Sequence, residues 1–254
     1  AERPQWAQRV TTAIVKAQVW TRSNQLEAAK LLAASGDNRY TPHSVEVLGR
    51  LAARYRGRRG LHAIEVLNEP HSDVPTALLK DYYRRANRAI RAHCAPQDVA
   101  VVFHDGFRSH REFLGLFQEP GFANVLFDVH RYQCFERADI DLDIHGHLHK
   151  AGMLWKDEAM EIQRELGVPA IAGEWSLGLD LKVVSLWAPG PYNHALEHMD
   201  AFQEHTAYRG YAAAQLLAFE HYRGWFFWSY RTETTPAWSF RDAVERGWLP
   251  SRFR

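Results

Sequence analysis

The chain has 254 residues, with 31 Lys and Arg against 30 Asp and Glu, for a formal net charge of +1. That balance gives no electrostatic reason to propose nucleic acid or a membrane surface as a partner. Two cysteines, Cys94 and Cys134, are too few for a disulfide framework or a zinc–thiolate site, although one disulfide stays open. No apolar stretch approaches a membrane span, the first residues do not read as a signal peptide, and the compartment is left undetermined because a mature secreted form would lack one.

The first sixty residues read as helical. Gln5 to Val19 places Trp6, Val10, Ile14 and Ala17 at helical spacing, and Asn24 to Ala34 is a second helical run. Ser44 to Tyr55 follows, with Val45, Val47, Leu48, Leu51 and Ala52 expected on one side. The basic run Arg54 to Gly60 reads as a solvated helix end, with Arg beside the carbonyl dipole. "AIVKAQVW", Ala13 to Trp20, is the one candidate strand in this part, and it fits a helix as well.

From Leu61 the rhythm changes. The runs "HAIEVLNEP", "VAVVFHDG", "VLFDVHRYQ", "PAIAGEWS" and "GWFFWSY" are strand-like. Helical patterns separate them at Thr76 to Ala92, Ser109 to Leu116, Lys156 to Leu166 and Asn193 to Glu220. This alternation predicts parallel βαβ units, with strands buried on both faces because their apolar runs are nearly continuous. No linker or low-complexity tract interrupts the chain. The expectation is one α/β domain over 1–254, helical over 1–60 and built of βα units over 61–254.

Each strand-like run ends in residues capable of chemistry: Asn68 and Glu69; His104 and Asp105; Asp128, His130 and Tyr132; Glu174; Trp228 and Tyr230. Active sites of parallel α/β architectures gather at the C-terminal ends of strands. Two carboxylates, Glu69 and Glu174, facing one cleft are what glycosidic bond cleavage requires, one as proton donor and one as nucleophile or base. His130 and Tyr132 are two apart and point to the same side of a strand. There the Tyr can hold a carboxylate in orientation while the His binds hydroxyls or tunes the acid. Trp228 is placed to stack on a sugar ring. Trp225, Phe226 and Phe227 read as core packing.

Other chemistries fit less well. His145, His147 and His149 in "HGHLHK" would share one face if extended, but no carboxylate–His motif accompanies them and the segment reads as an irregular loop. His194 and His198 stand at i and i+4 without the glutamates of HExxH. There is no Gly-rich phosphate loop, no GxSxG elbow, and no obvious serine for His104 and Asp105. A hydrolase using a metal at the His-rich loop remains an alternative.

The segments "IEVLNEP", "FHDGF", "DVHRYQCF", "AGEWS" and "GWFFWSYRTETTPAWSF" resemble, in order and spacing, glycoside hydrolase family five, and within it the exo-β-1,3-glucanase branch. The resemblance spans roughly Ser44 to Pro250. It implies a (β/α)8 barrel and double displacement with retention, without a cofactor or metal. It further implies Glu69 as acid/base, Glu174 as nucleophile, Asn68 as the amide on the sugar 2-hydroxyl, His130 and Tyr132 as site residues, and Trp228 as the stacking Trp. His104 and Asp105 join the substrate-binding set as strand-end residues. The motifs found correspond to strands four to eight. The Arg and the "DLHG"-like His that the family carries on earlier strands have no counterpart, so the barrel is expected to be incomplete. An incomplete barrel leaves two open sheet edges, which predicts a cover, such as the N-terminal helices or a second copy in a homo-oligomer. The expected partner is an oligo- or polysaccharide. The alternative is a weak or inactive carbohydrate-binding remnant, or a chain active only as an oligomer.

Overall fold

A computed structural model describes residues 42–179, 196, 198–233 and 235–253. The expected helices over 5–19 and 24–34, the candidate strand over 13–20, His194 and the start of the helix expected from Asn193 lie outside the described residues. The secondary-structure elements are α1 (Pro42–Tyr55), β1 (Ala63–Glu65), α2 (Thr76–Arg91), β2 (Ala100–His104), β3 (Val125–Arg131), α3 (Arg137–Ile140), α4 (Ile144–His149), α5 (Trp155–Leu166), β4 (Ala170–Trp175), α6 (Ala201–Phe219), β5 (Trp225–Phe227) and α7 (Phe240–Glu245). Among the described residues the five strands form one sheet in sequence order, β1-β2-β3-β4-β5, with β1 and β5 at its ends. The β1–β2, β3–β4 and β4–β5 pairings are parallel. Strands two and three are buried at every position, as their unbroken apolar runs predict, whereas β1 and β5 are only partly covered.

The chain divides into two compact units. The first holds α1, β1, α2 and most of β2. Leu48 and Ala52 of α1 are buried, and α1 packs on α2. Val47 and Leu51, expected on the same buried side, are exposed, so the apolar stripe is narrower than the spacing suggested. Tyr82 of α2 donates its hydroxyl to the Val66 carbonyl at 2.8 Å. Arg91 closes the far end of the unit, donating to the carbonyls of Val99 (2.7 Å) and Ala123 (2.6 Å).

The second unit holds β3, α3 to α7, β4 and β5. Trp175 at the end of β4 is fully buried and meets Phe219, Trp225 and Phe227 edge-on at 4.9–5.2 Å between ring centroids. Helix α6 begins with a capping box, Asp200 and Gln203 each bonding the other's backbone N–H. Helix α5 ends at Gly167 in the left-handed conformation.

Three expectations change here. Ser109 to Leu116 is not an α-helix; it forms only a 3-10 turn, His110–Phe113, and Gly115 then takes a positive φ. So short a run does not repay helix nucleation. The His-rich segment is not an irregular loop but helix α4, continued by a π-helical stretch, Lys150–Leu154. Asp143 starts it by accepting from the Gly146 N–H at 2.8 Å. Phe226 is exposed rather than packed in the core, because β5 is an end strand.

Candidate active site

Strand β3 supplies the centre of the site. Asp128 and His130 alternate onto one face, and Tyr132 follows in the same phase. His130 Nδ1 lies 2.6 Å from Glu69 Oε1 and 3.5 Å from Glu174 Oε2, so one nitrogen serves both carboxylates. On the other side of the ring, Nε2 faces Asp128 Oδ2 at 3.6 Å. Tyr132 donates its hydroxyl to Glu174 Oε2 at 2.7 Å. These residues of the second unit therefore lie together.

Local backbone aims both carboxylates. Glu69 stands just before Pro70 with φ +43°, a left-handed conformation that costs a non-glycine residue about 1 kcal/mol or more. The β3–β4 register slips beside Glu174: Val129 pairs with Ala172, but His130 pairs with Glu174. Gly173 is the extra residue of this bulge, and its N–H is taken by Asp128 Oδ1 at 2.7 Å. A Cβ at Gly173 would overlap the Asp128 carboxylate, so only glycine allows that approach.

The remaining expected site residues occupy distinct positions. His104 is fully buried, its ring edge-on to His130 at 4.2 Å, and its Nδ1 accepts from the Gly106 N–H at 2.7 Å. Asp105 is also buried, and its Oδ1 accepts from the Phe107 N–H at 2.8 Å. Trp228 follows β5 with its ring half exposed. Asn68 is exposed and belongs to the first unit. The sequence reading left out two partners. Trp238 stacks on Tyr132 at 5.2 Å, and Asp128 was noted as a strand-end residue but not placed in the site. The two-residue spacing from Asp128 to His130 was the available signal. Nothing in the pattern marked Trp238.

Charge is distributed unevenly. Burial opposes a charge on His130, but Asp128, Glu69 and Glu174 outweigh it and push its pKa up to about 10. The hydrogen bond from this imidazolium holds Glu69 below the usual carboxylate range, against partial burial. Glu174 is better covered, its side chain 14% exposed against 38% for Glu69. Burial pushes Glu174 up, against the Tyr132 hydroxyl and the His130 charge. Burial, and then the His130 charge, pushes His104 down to about 4, so it is neutral. Burial pushes Asp105 up to about 7, against Arg131.

These shifts fix a pH dependence. A raised His pKa adds stability that is fully present below the ordinary value of 6.5 and is lost as pH rises through about 10. Asp105, raised to about 7, also loses stability as pH rises from about 4, but His104, lowered to about 4, gains it up to its ordinary value of 6.5, so these two offset and the net loss lies above about 6.5. Thermal melts should therefore show the protein losing stability toward the alkaline side, and His130→Gln should flatten the upper part of that dependence.

Among the described residues, two clusters could be considered for a cation. Ligand atoms of Glu69, His104 and His130 lie within 4.8 Å of one another, as do those of His110, Glu161 and Glu165. In the first, both His130 nitrogens face carboxylate oxygens, the arrangement of a doubly protonated ring rather than a ligand. In the second, the Arg111 guanidinium already bridges Glu161 and Glu165. His145, His147 and His149 do not share a face, because residues two apart on a helix diverge. His147 is instead buried, with Nδ1 2.8 Å from Gln133 Oε1.

The family model for cellulase, glycosyl hydrolase family 5, matches residues 11–230, starting well before Ser44. A probable glucan 1,3-beta-glucosidase A of Aspergillus fumigatus is 32% identical over 82% of this chain and 53% of its own length. A glucan 1,3-beta-glucosidase of Candida oleophila is 30% identical over the same shares. The chain thus spans about half the length of the curated relatives it matches. Among solved structures, the rutinosidase from Aspergillus niger superposes with a TM-score of 0.56 at 16% identity, over 81% of this chain and 56% of that one. The endoglucanase of Thermotoga maritima superposes with a TM-score of 0.54 at 13% identity, over 83% and 67%. These two likenesses are of fold alone.

Proposed function

The chain belongs to glycosyl hydrolase family 5, and from that membership we propose that it is a retaining β-glycosidase directed at β-1,3-glucan. Its fold is α/β, and the described residues form five parallel strands that match part of a (β/α)8 barrel. The linkage is supported by the relatives named glucan 1,3-beta-glucosidase at about 30% identity.

The observation that carries the mechanism is the sharing of His130 Nδ1 by Glu69 and Glu174, at 2.6 and 3.5 Å. Two carboxylates that reach one nitrogen fit the close pair of a retaining enzyme, roughly 5–5.5 Å apart, better than the roughly 6.5–9.5 Å that leaves room for a water molecule. The spacing favours direct attack. Glu174 is the nucleophile, oriented by the Tyr132 hydroxyl. Glu69 is the proton donor to the leaving oxygen.

The first step needs Glu69 protonated and Glu174 ionised, whereas in the free site the His130 hydrogen bond holds Glu69 below the usual carboxylate range. The short bond between Glu69 and His130 offers the route. Moving the Nδ1 proton onto Glu69 leaves a neutral His130 and a protonated donor, so the pair titrates as one unit. Glu174 then attacks the anomeric carbon as the glycosidic C–O bond breaks and the Glu69 proton passes to the leaving oxygen. Glu69, ionised again, takes a proton from water, which displaces Glu174 and releases the sugar with retained configuration. Within the second unit, His104, Asp105 and Trp228 complete the proposed substrate-binding set, and Asn68 is proposed from the family motif alone.

Tyr132→Phe should lower kcat by up to about 100-fold through loss of carboxylate orientation, while the melting temperature changes little. Unchanged kcat would remove Tyr132 from the mechanism.

A second reading is favoured by the chain's spanning half its relatives' length: a carbohydrate-binding protein that hydrolyses weakly, or only as an oligomer. Laminarin titration by calorimetry beside a reducing-sugar assay separates them. Release of sugar supports the enzyme. Binding without release supports the second reading, and light scattering then tells a monomer from an assembly covering the sheet ends.

A further inference from the structure

Asp128 is a buried carboxylate that the retaining mechanism does not itself require. It makes two contacts at once. Oδ1 accepts the Gly173 N–H at 2.7 Å, the one β4 amide that the bulge takes out of register, immediately before Glu174. Oδ2 faces His130 Nε2 at 3.6 Å, while Nδ1 of the same ring reaches Glu69 and Glu174. One side chain therefore sits behind both candidate catalytic carboxylates: behind Glu174 through the backbone, and behind Glu69 through the imidazole.

The local sequence fits this double contact. Gly173 gives Asp128 room that any Cβ would fill. A bulge also leaves an amide without its ladder partner, and an amide shielded from water without an acceptor is destabilising. Asp128 supplies that acceptor. Its second oxygen places negative charge beside the ring nitrogen opposite Glu69, which keeps the ring charged and directed.

We propose that Asp128 is a positioning residue that holds the Glu174 bulge in register and His130 in its charged, Glu69-directed state. The inference rests on the glycosidase reading for its effect on turnover, but not for its effect on His130. The groups facing His130 are Asp128 on its own strand, Glu69 after β1, His104 on β2 and Glu174 on β4. Of these, Asp128 is the one on the Nε2 side. The electrostatics agree, since Asp128 outranks Glu69 and Glu174 among the causes that raise His130.

The test is the titration of the His130 ring followed by nitrogen-15 NMR in wild type, Asp128→Asn and Asp128→Ala. Asparagine keeps an acceptor for the Gly173 N–H and removes the charge. Wild-type His130 should titrate near 10. In Asp128→Asn that midpoint should fall by at least about one unit, while kcat on an aryl β-glucoside should stay within about 10-fold of wild type, because the bulge amide keeps its acceptor. Asp128→Ala should lose more kcat than Asp128→Asn and melt lower, because the bulge amide is then orphaned as well. The proposal is overturned if wild-type His130 titrates in the ordinary range, which needs no variant to fold. It is equally overturned if Asp128→Asn leaves the midpoint in place, or if the Asn and Ala variants behave alike. A wild type without glycosidase activity would sink the functional reading, and the His130 midpoint would still decide the role of Asp128.

Discussion

Glu174→Ala and Glu69→Ala should each lower hydrolysis of an aryl β-glucoside by at least about 1,000-fold, with the melting temperature nearly unchanged. The two losses should differ in kind. Azide added to Glu174→Ala can attack the anomeric carbon in place of the carboxylate, giving the α-glucosyl azide in one inversion. Azide added to Glu69→Ala intercepts the glycosyl-enzyme, where no general base is needed, and gives the β-glucosyl azide. An activated leaving group should also partly spare Glu69→Ala, because a good leaving group needs little protonation. The geometry behind this division is the Tyr132 hydroxyl on Glu174 and the imidazole on Glu69. Wild-type rates in both variants would refute the assignment, and azide products of the opposite configuration would exchange the two roles.

Trp175→Ala should be the most damaging core substitution in the second unit. The side chain is fully buried between Phe219, Trp225 and Phe227. Deleting a buried Trp typically costs about 3–5 kcal/mol, counting the lost transfer energy and the cavity left behind. For a chain of this size, a loss on that scale lowers the melting temperature by about 10 °C or more. The carbonyl of Trp175 also accepts the Trp228 N–H at 2.8 Å, so collapse around the cavity should loosen the Trp228 platform. Trp175→Phe, which refills most of the volume, should recover most of the stability. Equal melting of wild type and Trp175→Ala would mean that the β4–β5 end of the sheet contributes little to the fold.

Much of this arrangement was legible in the sequence. The five strand-like runs correspond to β1 through β5, because parallel strands buried on both faces leave continuous apolar runs. Glu69, His130, Tyr132 and Glu174 were readable as strand-end residues, and the period of two already put His130 and Tyr132 on one side. What stayed hidden depends on pairing between strands. The bulge at Gly173 is a property of β3 and β4 together, and "AGEWS" alone gives no register. Hence the double contact of Asp128 could not be read, although Asp128 stands two residues before His130. Trp238 lies far along the chain from Tyr132, and only the folded C-terminal loop brings the two rings together. The His-rich stretch carries its histidines at a period of two, which does not suggest a helix, whereas the Asp143 cap that starts the helix is a single residue outside that pattern. Phe226 was misread because an end strand and an inner strand carry the same apolar residues.

The central claim is attack by Glu174 within a retaining pair. Proton NMR of the sugar first released from laminarin tests it most directly, before mutarotation mixes the anomers. Retention predicts β-glucose as the initial reducing sugar. Initial α-glucose would contradict the shared-nitrogen geometry as a retaining site, and no released sugar would contradict the chain as a hydrolase.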